Sequence, residues 1–89
     1  MQLTDTHSHL YSDQFKDDIN DVMSRCQADG VNRIFLPNID ESSIEAMLKL
    51  EDAYPDTCFP MMGLHPCSVN GDFEKQLSIV EDWWNRRDF

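Results

Sequence analysis

Basic residues are scarce in this chain of 89 residues: seven Lys and Arg stand against 17 Asp and Glu, a formal net charge of −10. Such an acidic balance favours solubility and opposes non-specific attachment to polyanions. It is also the opposite of the basic footprint that nucleic-acid binders usually carry. Cysteine occurs three times, at Cys26, Cys58 and Cys67, an odd number with no CxxC pair. That excludes a disulfide framework and a zinc knuckle, and free thiols suit a reducing compartment. Glycine is sparse, and no Gly/Ser linker or low-complexity stretch interrupts the chain. No apolar run approaches the roughly 20 residues that a membrane helix needs. The first residues show neither the basic n-region nor the apolar h-region of a signal peptide. The expectation is a cytoplasmic protein with no membrane partner. The composition, 40% hydrophobic and 27% charged, is that of a globular chain. Its length allows one domain at most, residues 1–89, burying about 60–65% of its unfolded surface.

What is present is an alternation of strand and helix. A short strand is expected over about Gln2 to Thr6. Phe15, Ile19, Val22, Met23 and Cys26 then recur on one helical face, and Gly30 is placed to stop that helix. The stretch VNRIFLP reads as a second strand, apolar on both faces and ended by Pro37. Ser42 and Glu45 have the spacing of a capping box, with Ile44, Met47 and Leu48 as the buried stripe behind it and Pro55 just past the end. CFPMMGL reads as a third strand, in which Pro60 should interrupt the ladder. Phe73, Leu77, Val80 and Trp84 mark a third helix, with Arg86 and Arg87 suited to its C-terminal dipole.

The chain therefore reads β-α-β-α-β-α, an α/β fold with parallel strands. Two apolar-faced strands need cover on both sides, and crossovers of one hand put the helices on one side only. Two arrangements answer this. One is the first three units of a TIM-like (β/α) barrel, whose inner face packs on itself. The other is a small doubly wound domain with strand order 2-1-3. The chain stops after the third helix, where a fourth strand would begin, and this favours a fragment of the barrel.

All three histidines fall at the carboxyl ends of strands, where ligands collect in parallel α/β units. His7 and His9 in DTHSHL alternate with Ser8, so both point to one side. Two imidazoles so placed can converge on one divalent metal, which would acidify water and polarise an ester oxygen. A catalytic site needs at least three protein ligands, and a HxH pair arises readily by chance in a chain with three histidines, so the motif alone is weak. Asp5 has two readings: orienting a ligand histidine or capping the turn that follows. His65 lies between Gly63, which permits close backbone approach, and Pro66, which fixes the turn. A role facing the substrate, direct ligation and a structural role all stay open for it. Cys67 has no assigned base and is no nucleophile. Trp83 and Trp84 read as core and rim, and the acidic helix faces as a solvated exterior.

DTHSHL at 5–10, GVNRIFLPNID at 30–40 and MMGLHP at 61–66, in this order and spacing, resemble the N-terminal third of the TatD-type metal-dependent deoxyribonucleases, among the amidohydrolase-like metal hydrolases. The resemblance implies a TIM-like barrel that hydrolyses phosphodiester bonds. It implies His7 and His9 as metal ligands, His65 lining the substrate site, a divalent ion (Mg, Mn or Zn) as cofactor and DNA as substrate. It also implies that the next ligand, a glutamate in a stretch like GEIGLD, falls just beyond Phe89, so that this chain alone is inactive. Two rivals stand beside it: the same barrel acting on amides or small phosphoesters, and a doubly wound binding module without enzymatic activity. A chain with one bare sheet face is further expected to self-associate or to pair with the remaining part of the barrel.

Overall fold

The computed structural model describes residues 2–89. Three strands, β1 (Leu3–Asp5), β2 (Val31–Pro37) and β3 (Cys58–Met61), alternate with three helices, α1 (Ile19–Ala28), α2 (Ile44–Ala53) and α3 (Phe73–Arg86). The strands pair in the order β1-β2-β3, both pairs parallel. That order overturns the 2-1-3 doubly wound alternative and matches the first three units of a (β/α) barrel, in which each strand lies beside the next in sequence.

The sheet has one covered face. Ile34 and Leu36 of β2 and Cys58 of β3 are buried, and they meet Met23 from α1 and Met47 from α2 in a single core. Strand alternation turns Phe35, Phe59 and Met61 to the other face. There the Phe35 and Phe59 rings stack obliquely with centroids 5.8 Å apart, and Phe59 and Met61 stay 37% and 39% exposed.

Pro60 does not break the ladder between β2 and β3 as expected. Ile34 N–H donates to the Thr57 carbonyl and Asn38 N–H to that of Met61. Parallel alternation therefore turns the nitrogen of Pro60 away from β2, toward the open edge of β3, where its missing N–H costs nothing in this sheet. The Pro60 ring itself faces the core and is buried.

α1 starts at Ile19; Phe15 belongs to a separate 3₁₀ turn, Asp13–Phe15. Gly30 ends the helix as expected, at φ 87°, a backbone angle that glycine adopts without steric cost. The start of α2 differs from the expected Ser42/Glu45 box. The Asp40 carboxylate accepts from Ser42 N–H, and the Ser43 hydroxyl returns to the Asp40 N–H, so the box opens a 3₁₀ turn, Glu41–Ser43, that runs into α2.

In α3 the expected stripe is out of phase. Val80 is buried, but Phe73, Leu77 and Trp84 are 43%, 50% and 57% exposed. The inward face instead runs through Gln76, Val80, Trp83 and Arg87, at i, i+4, i+7 and i+11. Its two polar ends explain the misreading. Gln76 Oε1 accepts from Glu41 N–H at 3.1 Å, and Arg87 holds Glu51 of α2 with bonds of 2.6 and 2.8 Å. Among the described residues, no helix is long and apolar enough to cross a membrane.

Candidate metal centre

β1 ends at Asp5, but its pairing continues in part: Ser8 N–H donates to the Phe35 carbonyl at 3.0 Å. The two histidines flanking Ser8 are therefore held on one side. Their ring centroids are 5.1 Å apart and their planes stand at 87°. Asp5 Oδ1 accepts from the backbone N–H of His7 at 3.0 Å. Its carboxylate thus fixes the turn carrying His7, and acts on that residue's backbone rather than its ring.

Beyond His9 the chain turns sharply. Ser12 N–H donates to the His9 carbonyl at 2.9 Å, and the turn drives Tyr11 into the core, where it is 8% exposed. The Tyr11 hydroxyl contacts the Pro37 carbonyl at the end of β2 and His9 Nδ1 at 2.7 Å. A phenol has one proton to give, and a carbonyl can only accept. The hydroxyl proton therefore goes to Pro37, and the bond to His9 is made with a proton on Nδ1. That leaves Nε2 of His9 with its lone pair, the form that ligates a metal. Burial disfavours charge on His9 and lowers its pKa. The neighbouring His7 and His65 add to this, while the Pro37 carbonyl works the other way. Burial likewise pushes the Tyr11 phenol up to about 12, so it keeps the proton it donates.

His65 reaches the same end of the sheet from β3. Its N–H donates to the Ile39 carbonyl at 2.7 Å, and its Nδ1 accepts from Cys67 N–H at 3.0 Å, capping the short turn Pro66–Ser68. The neutral ring therefore carries its proton on Nε2, the reverse of His9. The two ring centroids are 6.2 Å apart. Asn38, the residue after β2, is buried. It donates to the carbonyls of Asp40 and Gly63 and accepts from the Ser43 hydroxyl at 2.7 Å. Gly63 meets no close approach from this chain: a Cβ there would find no atom within 4 Å. The buried Cys58 thiol, pushed up to about 11 chiefly by burial, is inert.

The structure thus brings His7, His9 and His65 to one end of the sheet, with Asp5 beneath His7. The sequence reading missed Tyr11, whose signal was a hydroxyl-bearing aromatic two residues past the second histidine. A neutral imidazole with a free Nε2, beside a second imidazole, is a donor set that suits a divalent transition ion. Among the described residues no three His, Cys, Asp or Glu side chains converge on a common position that could hold a metal ion. Two grooves lie between the helices, one lined by Ile44, Leu48 and Trp83 and the other by Leu10, Ile19 and Leu50. Neither contains a histidine.

Comparison with known proteins bears on this arrangement. A family model described as TatD related DNase matches residues 4–88. An uncharacterized metal-dependent hydrolase, YabD, from Bacillus subtilis is 29% identical over 80 residues, which are 90% of this chain and 31% of that protein. The 3'-5' ssDNA/RNA exonuclease TatD from Pectobacterium parmentieri is 32% identical over 72 residues, 78% of this chain and 28% of that protein. The chain spans about a third or less of these two relatives.

Proposed function

The chain belongs to the TatD related DNase family, and on that premise we propose that it forms the opening third of a metal-dependent hydrolase barrel that cleaves phosphodiester bonds, with DNA as substrate. The observation that carries the reading is the gathering of three imidazoles at one sheet end, with His9 5.1 Å from His7 and 6.2 Å from His65 between ring centroids. The names of the relatives, a metal-dependent hydrolase and an exonuclease acting on single-stranded DNA and RNA, support the reaction class.

In this reading His7 and His9 hold the divalent ion, which when bound supplies Lewis acidity to the phosphoryl group and lowers the pKa of water. Asp5 fixes the backbone of His7, so that its ring is delivered next to His9. His65 donates from Nε2 toward a phosphate oxygen, a charge-assisted bond that orients the substrate and stabilises developing charge. Further ligands and the carboxylate that handles the proton come from the later strands of the barrel. The apolar side of the sheet, Phe35, Phe59 and Met61, is the surface those strands cover.

The test is hydrolysis by the full-length protein of single-stranded DNA, a small phosphodiester and an amide, with Mg, Mn and Zn each supplied in turn. His7→Ala and His9→Ala should each abolish metal-dependent cleavage of DNA. Unchanged turnover in both variants would sink the assignment, and a preference for the amide would move it to another hydrolase class on the same barrel.

A further inference from the structure

We propose that Tyr11 is a positioning residue for His9: its hydroxyl, anchored on the Pro37 carbonyl, holds the imidazole in the Nδ1–H form and reserves Nε2 for a divalent cation. The cation half of this rests on the reading above; the tautomer half rests on this chain alone.

A purely structural role would need less than the structure contains. A buried tyrosine needs one hydrogen-bond partner, and the Pro37 carbonyl already provides it. The bond from His9 Nδ1 at 2.7 Å is a second one, made edge to face with ring centroids 5.6 Å apart and planes at 89°. Because the carbonyl takes the hydroxyl proton, the oxygen is left as an acceptor aimed at His9. A free histidine side chain prefers its proton on Nε2, the wrong nitrogen for ligation through that atom. The Tyr11 oxygen reverses that preference. The anchor is rigid: Pro37 ends a strand paired on both sides, and Tyr11 is part of the buried core. The imidazole is thereby fixed in both rotation and proton position, which is what an outer partner of a ligating histidine supplies. His65, whose Nδ1 is engaged by a backbone N–H, is held in the opposite form and serves as an internal control.

The experiment is a long-range ¹H–¹⁵N spectrum of the histidine-labelled chain without added metal, for the wild type and Tyr11→Phe. The wild type should show His9 protonated on Nδ1 and His65 on Nε2. In Tyr11→Phe, His9 should move toward the Nε2–H form while His65 stays unchanged, and affinity for Zn²⁺ should fall about 10- to 100-fold. His9 already protonated on Nε2 in the wild type would overturn the proposal, and this holds even if the variant fails to fold. So would an unchanged His9 in Tyr11→Phe, or a change at both rings together, since loss of local order would then account for it. Equal zinc affinity in the wild type, Tyr11→Phe and His9→Ala would overturn the cation half along with the reading it rests on, while the spectra decide the part played by the hydroxyl separately.

Discussion

His9 and His65 stand 6.2 Å apart between ring centroids, and their hydrogen-bond partners assign them opposite tautomers, Nδ1–H in one and Nε2–H in the other. The difference comes from what each Nδ1 meets: a phenol oxygen in one case, a backbone N–H in the other. Two chemically identical side chains are thus divided into a lone-pair donor and a hydrogen-bond donor by their neighbours.

That division predicts separable effects. In the full-length protein, His65→Ala should lower kcat/KM for a phosphodiester by about 10- to 100-fold, the worth of one hydrogen bond to a charged group. Metal affinity should stay nearly constant. Isothermal titration with Mn²⁺ beside steady-state kinetics separates the two quantities. A collapse of metal affinity in this variant would make His65 a ligand instead.

Asn38 should matter to stability more than its polar character suggests. It is 4% exposed and joins the ends of β2 and β3 through the Gly63 carbonyl, the Asp40 carbonyl and the Ser43 hydroxyl. Asn38→Ala leaves these groups short of a partner in a dry position, at a cost of about 2–3 kcal/mol. For a domain with so thin a margin, urea denaturation should show a large fall in midpoint. A change below about 0.5 kcal/mol would mean that water replaces the amide.

The alternation of strands and helices was legible in the sequence because burial repeats directly in it: Ile19 and Met23 share a face of α1, Ile44 and Met47 a face of α2, and Ile34 and Leu36 alternate within one strand. The strand order was not, since apolar faces say that cover is needed without saying which strand lies beside which. In α3 the phase was lost because the true inward face is bounded by Gln76 and Arg87, polar residues that satisfy backbone and carboxylate partners on α2 and its preceding turn. The histidine pair was visible as a motif. Tyr11 was not, because its function depends on the Pro37 carbonyl, 26 residues away in sequence.

The Arg87–Glu51 pair gives the stability a pH dependence. The bonds from Arg87 hold the Glu51 carboxyl below its ordinary range, burial opposing them. A carboxylate with a lowered folded pKa contributes fully above its unfolded value of about 4.3 and loses that contribution as pH falls through the folded value. Arg87 stays charged throughout. With side chains 34% and 22% exposed, the pair is screened, and it should be worth about 1 kcal/mol or less. Thermal melts at pH 7 and pH 3 should therefore converge for the wild type and Glu51→Gln at the acid end and differ by a few degrees at neutrality. Parallel curves across the range would show that the pair contributes nothing through its charge.

The bare sheet face carries the last prediction. Phe59 and Met61 lie 37% and 39% exposed beside Phe35 on the side opposite the helices. Apolar side chains on an uncovered sheet drive association, and only the acidic surface elsewhere opposes it. The 89-residue chain on its own should therefore sediment as a concentration-dependent mixture of monomer and larger species. Phe59→Lys places a charge in the middle of the face, so it should shift the mixture toward monomer, with some fall in melting temperature from the lost packing of Phe59 against Phe35. A variant on the helical side, Trp84→Lys, removes an exposed aromatic of similar size and should leave the distribution as it was. If Trp84→Lys dissociates the species and Phe59→Lys does not, the sticky surface is α3, and the open sheet face is not what the later strands would have to cover.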